Sequence, residues 1–466
     1  MIAALCQPPP PQAGEGWGGG FAAVMQDPVV DKIITHVARV AAGELPEAAR
    51  VAAKALIADS LGVGIAGAGA PWRPEVLDMA AAPGGGSQTS VWGTGERLPL
   101  GQAAMVNAYQ MHALEFDCVH EGAVVHAMSA VLPCMVGWAE REGGVSGESL
   151  LRAVVAGVDV AVTLGLCSRA PMRFFRPANC SGFGAVAGLG LLAGLAAAQL
   201  RDALGIYYGQ CSGTMQAHLE ASPQLAMQMG FAARAAVTAV ELAARGMPGP
   251  RAPISGPFGY FALFDGEADP APFDELGRAW RVCELSYKPF PSGRATHGGL
   301  DGVQQLIAMP GITADRVRAG RFLVPQLTHR LVGRPPQDGM TIAYARLCLA
   351  YCGAVSLRHG TVGLDDFTPA ALADPASLAL ARRLTVTADG NPDPNALHPV
   401  RVELDLADGR TVACNVADVI GSPARPLSSE AARAKFAACG APARLWDAAM
   451  ALDELADGAA LARSAV

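Results

Sequence analysis

The chain has 466 residues, 51% hydrophobic and only 17% charged, with a formal net charge of −7. That length exceeds one ordinary core and predicts two or more domains. The acidic balance, without any basic run, excludes nucleic acid and anionic membrane surfaces as expected partners; a small anionic substrate stays open, because local arginines and lysines decide that.

Residues 1–26 read as a disordered leader. No basic residue precedes Lys32 and Pro8 to Pro11 breaks the early apolar run, so no secretory signal is expected. Eleven cysteines are spread from Cys6 to Cys439 without a CxxC pair, a pattern that suits a reduced cytoplasm. Over 27–273 the apolar spacing predicts a helical domain, with helices at Asp31–Ala42, Glu47–Ile65, Gly101–Phe116, Ser129–Arg141, Gly147–Ser168, 181–198 and Ala226–Ala244. The uncharged run 181–198 is long enough to raise the membrane question, but its small residues and the lack of a second such span favour a helix buried in protein. Gly62-Val-Gly-Ile-Ala-Gly67 satisfies G-x-G-x-x-G, yet the residues before it are helical, so close helix packing is expected rather than a dinucleotide site.

Near residue 274 the pattern changes. Trp280–Tyr287 reads as a strand, helical patterns follow at 299–308 and 341–357, and alternating runs follow at Arg383–Ala388 and Val400–Leu406. Thr411–Val416, after the Ala407-Asp-Gly turn, suggests a hairpin. Residues 274–421 are therefore an expected α+β lid domain, and 422–466 are helices packing back on the first domain. The fold class is mainly α, a large all-helical domain plus a smaller α+β lid.

Residues 112–126 hold three of the nine histidines, three carboxylates and a cysteine. Dense titratable groups in an apolar frame are what acid–base chemistry requires, since burial and mutual charge move pKa values toward neutrality. His126, Glu115, Asp117 and Cys118 are the catalytic candidates here, with His120 in a binding role. His120 and His126 are six apart, not the four of a helical metal motif, and no metal is expected. A second segment, Ser286–Gly299, collects Lys288, Ser292, Arg294 and His297 in a Pro/Gly turn before a helix, where Arg294 and free N–H groups would hold a carboxylate. In a third, Arg173–Gly182, Arg176, Asn179 and Ser181 either present donors to a ligand or simply cap a helix.

Taken in order, Asp59–Gly67, Asn107–Asp117, His126 through Pro133, Cys180–Ala185 and Lys288–His297 resemble the MmgE/PrpD family over nearly the whole chain beyond the leader. The resemblance implies a helical domain and an α+β lid, usually in a homodimer, with a cleft site that needs no metal or organic cofactor and moves protons beside a carboxylate of a small polycarboxylic acid. It matches His126, Glu115, Asp117 and Lys288 to family positions, and Tyr351 to a tyrosine on a later lid helix. The chain departs from the lyase members at Arg176, Leu225 and Gln228, and from the decarboxylase branch at Gly293.

Retained cations with fewer neutral proton carriers favour proton abstraction and return over expulsion of hydroxide. The leading expectation is epimerisation of a dicarboxylate such as iminodisuccinate. His126 would be one base, Lys288, His297 or Cys118 the opposite one, and Arg176 and Arg294 the carboxylate anchors. A hydro-lyase of the 2-methylcitrate dehydratase type, or a cis-aconitate-type decarboxylase, is the alternative. A non-catalytic polycarboxylate-binding protein is the third.

Overall fold

The computed structural model describes residues 26–393 and 395–466. The proposed leader up to residue 25 lies outside the described residues. The fold is mainly helical with a small mixed sheet. Asp27 caps the first helix, Pro28–Ala42, its carboxylate accepting from the Val29 and Val30 N–H groups.

The centre of the helical part is the pair Gly147–Leu166 and Arg176–Leu192. Small residues let these two backbones touch. A Cβ on Gly184 would stand 2.2 Å from the Gly157 carbonyl oxygen, so any larger residue would force the helices apart. The apolar run 181–198 is not one helix. It breaks at Gly194, which takes φ +64°, and a separate helix, Ala197–Tyr208, follows. Two other helical stretches, Glu47–Gly69 and Gly147–Leu166, are long and apolar enough to cross a membrane, which corrects the expectation of a single such span. Both are mostly buried in protein, as core helices are. The glycines of the G-x-G-x-x-G match pack as close contacts. Gly62 faces the Phe436 ring, Gly64 the Trp92 ring and Gly67 the Gln110 backbone.

Four strands form the sheet in the order 384–388, 317–324, 400–406, 411–416, with only the first pair parallel. Val400, Val402, Leu404 and Leu406 face inward, and the helix His297–Ile307 covers them. Val317–Val324 was not expected. Its outward Arg318 and Arg321 obscure the alternation. Trp280–Tyr287 is not a strand. Arg281–Glu284 is a short 3₁₀ turn, and only Ser286 pairs, through an isolated bridge with Val119. At the C-terminus, Ser429–Ala438 and Ala443–Met450 pack against Glu47–Ala66.

Candidate active site

The helix Leu100–Ala113 ends just before Glu115, which sits at φ +50°, a left-handed conformation that a residue with a Cβ seldom adopts. The loop it opens runs to the helix Met128–Glu142 and is fixed from several sides. Val119 and Ser286 exchange backbone hydrogen bonds of 3.0 and 2.8 Å, which draws the lid segment against the loop. Lys288 thereby lands under it, fully buried, with Nζ 3.0 Å from Glu115 and 3.3 Å from Asp117. Arg346 donates to the Leu114 and Pro291 carbonyls. From the C-terminal helix, Lys435 holds Asp59 at 2.7 Å and donates to the Phe116 carbonyl at 2.9 Å.

Asp117 is the hub. Its Oδ2 accepts from Nδ1 of His112 at 2.8 Å, from Nδ1 of His126 at 2.9 Å and from the Ser129 hydroxyl, while Oδ1 faces Lys288. Burial opposes the charged form, but His126, His112 and Lys288 override it and hold this carboxyl well below the usual range. For Glu115, burial is likewise outweighed, chiefly by Lys288, and its pKa falls to about 2. An ionised Asp117 accepts a hydrogen bond from the Nδ1–H of each ring, which keeps that proton on Nδ1. The two rings meet edge to face with centroids 4.8 Å apart.

The two imidazoles differ. Burial alone would lower His112, but Asp117 and Glu115 outweigh it and raise its pKa above the ordinary value. Burial lowers His126, and Lys288 adds to that beyond what Asp117 restores. Neighbouring groups pushed in opposite directions make a proton donor and a proton acceptor near neutral pH. His112, Asp117 and His126 also have ligand atoms within 4.8 Å of one another, close enough for one ion. Those atoms already satisfy each other as donors and acceptor.

Two chambers adjoin this cluster and share His112, Glu115, Leu225 and Leu347 as walls. The smaller, about 70 Å³, is also lined by His126, His218 and Gly293. The larger, about 230 Å³, is lined by Arg346 and mostly apolar groups. His112 is buried, and its Nε2 has no hydrogen-bond partner.

Several residues expected in the site are engaged elsewhere. All three Arg294 nitrogens are taken, Nε and Nη2 by Glu121 and Nη1 by the Tyr287 and Ile420 carbonyls. It lines the small chamber but offers no free donor. Arg176 points to the Ala123 and Ala170 carbonyls. His297 lies between Arg294 and the Ser292 carbonyl, its pKa driven well down by burial and by Arg294, so it is a strut and not a base. The Ser292 hydroxyl pairs with Thr296. His120 joins Glu284 and the Ala123 N–H. Cys118 is buried against Asp59 and Asp117, and burial with those charges pushes its thiol up and away from reactivity. The Asn179 side chain accepts from the Ser212 N–H; Asn179 and Ser181 lie inside a helix that starts at Arg176, so neither caps it. Tyr351 is buried in the lid, its hydroxyl donating to the Asp366 carbonyl, and lines neither chamber. Of the two acids expected to orient His126, Glu115 or Asp117, Asp117 holds its Nδ1 and Glu115 pairs with Lys288.

His112, His218 and Arg346 also line the chambers, although no motif in the chain marks them for a role. His112 stood inside the dense segment and was legible there. His218 and Arg346 come from distant stretches without local signal. Burial and Arg334 lower His218 to about 4, which keeps it neutral.

Residues 31–272 match the description "MmgE/PrpD N-terminal domain" and residues 290–450 the description "MmgE/PrpD C-terminal domain". The chain is similar to the cis-aconitate decarboxylase of Mus musculus, 27% identical over 405 residues, covering 83% of this chain and 81% of that protein. It is similar to the cis-aconitate decarboxylase-like protein oryM of Aspergillus oryzae, 25% identical over 437 residues, covering 88% and 89%. It is also similar to the cis-aconitate decarboxylase of Homo sapiens, 25% identical over 446 residues, covering 91% and 90%. With both domain matches in order along one chain, this protein belongs to the MmgE/PrpD family.

Proposed function

We propose that the chain is a lyase acting on a small carboxylic acid at a carbon beside the carboxylate, with His126 as proton acceptor and His112 as proton donor. The supporting observation is the shared Asp117 oxygen, which fixes the Nδ1 atoms of two histidines that line the chambers and whose proton affinities are pushed in opposite directions. In elimination of water, His126 Nε2 takes the proton from the carbon and that electron pair becomes the new C=C bond. The C–O bond breaks, and the departing hydroxide takes the proton of His112 and leaves as water. The relatives' names favour a second reading, decarboxylation. There the C–C electron pair stays on the substrate as CO₂ departs, and His112 protonates the carbon. Epimerisation drops behind both, because the anchors and second bases it needed, Arg176, Arg294, His297 and Cys118, do not present free groups to the chambers.

Proton NMR of the purified protein in D₂O with 2-methylcitrate and with cis-aconitate tests this. New alkene signals from the first, or a decarboxylated alkene from the second, support the lyase. Conversion of iminodisuccinate to its diastereomer, with no elimination from the other acids, overturns it.

The reaction needs neutral His126 and protonated His112. Activity therefore rises with pH through a His126 pKa below 6.5 and falls through a His112 pKa above 6.5. The kcat/KM profile is expected to be a bell with its top around that value, and the His112→Gln variant is expected to lose the basic limb.

A further inference from the structure

The larger chamber is chemically unlike the cluster beside it. Trp72, Tyr109, Leu225, Ala226, Ile342 and Leu347 supply apolar wall, and Trp72 is 57% exposed at φ +66°, as fits a residue at the mouth. Its volume of about 230 Å³ is several times the roughly 30 Å³ a water-sized group occupies. Concave apolar space joined to a few convergent polar groups is the usual form of a small-molecule site.

Charge limits the ligand further. Glu115 and Asp117 are balanced by Lys288 and the raised His112. Among the described residues lining the two chambers, the arginines are Arg294, whose nitrogens are all engaged, and Arg346, whose buried Nε has no partner. That suits a ligand with one carboxylate at Arg346 rather than one with three in need of partners, because unpaired buried charge is strongly unfavourable. The shared walls His112 and Glu115 place this space next to the reacting groups.

We infer that the larger chamber is a subsite for an apolar arm, so that the acid handled here carries an alkyl substituent of several carbons rather than being a bare polycarboxylate. This rests on the lyase reading for what happens at the head of the molecule, but the arm's binding is measurable without turnover. The probes are non-reacting diacids (succinate, 2-methylsuccinate, 2-butylsuccinate) with tricarballylate as the bare tricarboxylate, each titrated calorimetrically into the full chain. Each methylene moved from water to an apolar wall tightens binding about fourfold, so butyl is expected to exceed methyl by about 60-fold. Ala226→Phe, at a wall position of the larger chamber alone, is expected to reduce that ratio to about fivefold or less while succinate affinity holds. Ile342→Asn, at a partly exposed wall position, gives the same readout should the first variant fail to fold. Equal affinity for methyl and butyl, or tighter binding of tricarballylate than of butylsuccinate, overturns the inference. A gradient with no elimination or decarboxylation of a butyl-substituted citrate or aconitate in the same NMR assay keeps the subsite and removes the lyase; turnover without a gradient does the reverse.

Discussion

Replacing Asp117 by Asn is expected to lower turnover by about 10³–10⁴-fold, the scale seen when a carboxylate that fixes an imidazole tautomer is neutralised. The reason is a count of donors. Asp117 accepts from two imidazoles, a hydroxyl and an ammonium, and only an anion with two oxygens accepts from all four. An amide has one accepting oxygen, and its NH₂ would face a donor on whichever side it was placed. With the NH₂ on the Oδ2 side both imidazoles lose their Nδ1 acceptor, and His126 flips its tautomer and protonates the Nε2 that must stay free; with it on the Oδ1 side the amide faces the Lys288 ammonium and no negative charge is left to favour the proton on His112. Steady-state kinetics with a circular dichroism spectrum of the variant measure this. A loss of less than tenfold in a folded protein would show that the histidine pair does not carry the reaction. Ser129→Ala, which removes one of the neutral donors, is expected to be far milder.

Lys288→Met has the largest expected effect on stability. Lys288 is fully buried and neutralises two buried carboxylates at once. Removing one partner of a buried ion pair costs about 3–5 kcal/mol, because the other charge remains without compensation. Urea unfolding at neutral pH reads that directly. The pH dependence separates it from a packing defect. In the wild type Lys288 and the two histidines outweigh burial and hold Glu115 down at about 2 in the folded chain, against 4.5 for an ordinary glutamate, so its contribution is present above 4.5 and is lost as pH falls from there toward about 2. Without Lys288 the folded pKa of Glu115 rises, and acid unfolding is expected to begin at a higher pH. The acid limb of the rate profile should move upward as well, because Lys288 is one of the groups that depress His126. Unchanged stability would mean that the two carboxylates find another cation.

Much of this architecture was legible in the chain because it rests on periodicity. Most helices between Pro28 and Ala244 and the strands at 384–388, 400–406 and 411–416 stand close to where apolar spacing puts them; Arg73–Ala81 and Ala197–Tyr208 have no counterpart among the expected helices. The misses have local causes. Trp280–Tyr287 alternates like a strand but has only Val119 to pair with, so it cannot form a ladder. The run 181–198 changes direction at a glycine that composition does not distinguish from its neighbours. At the site, the dense stretch 112–126 identified itself by residue type, but type does not give direction. Asp117 and Cys118 are adjacent, yet one receives two histidines and the other is walled in beside Asp59. Arg176 and Arg294 read as carboxylate anchors and His297 as a base because nothing local reveals that carbonyls and Glu121 claim them first. The apolar chamber has walls from helices and loops more than two hundred residues apart, and no short window of sequence holds that information.

For one histidine to give a proton and the other to take one, Asp117 must keep two neighbouring imidazoles in different protonation states. Long-range ¹H–¹⁵N NMR of ¹⁵N-histidine-labelled protein, titrated from pH 4.5 to 8.5 and assigned with single His→Gln variants, tests it most directly. His112 is expected to titrate above 6.5 and His126 below it, each with its proton on Nδ1 in the neutral form. Both rings titrating together at the ordinary value, or His126 protonating before His112 as pH falls, would contradict it.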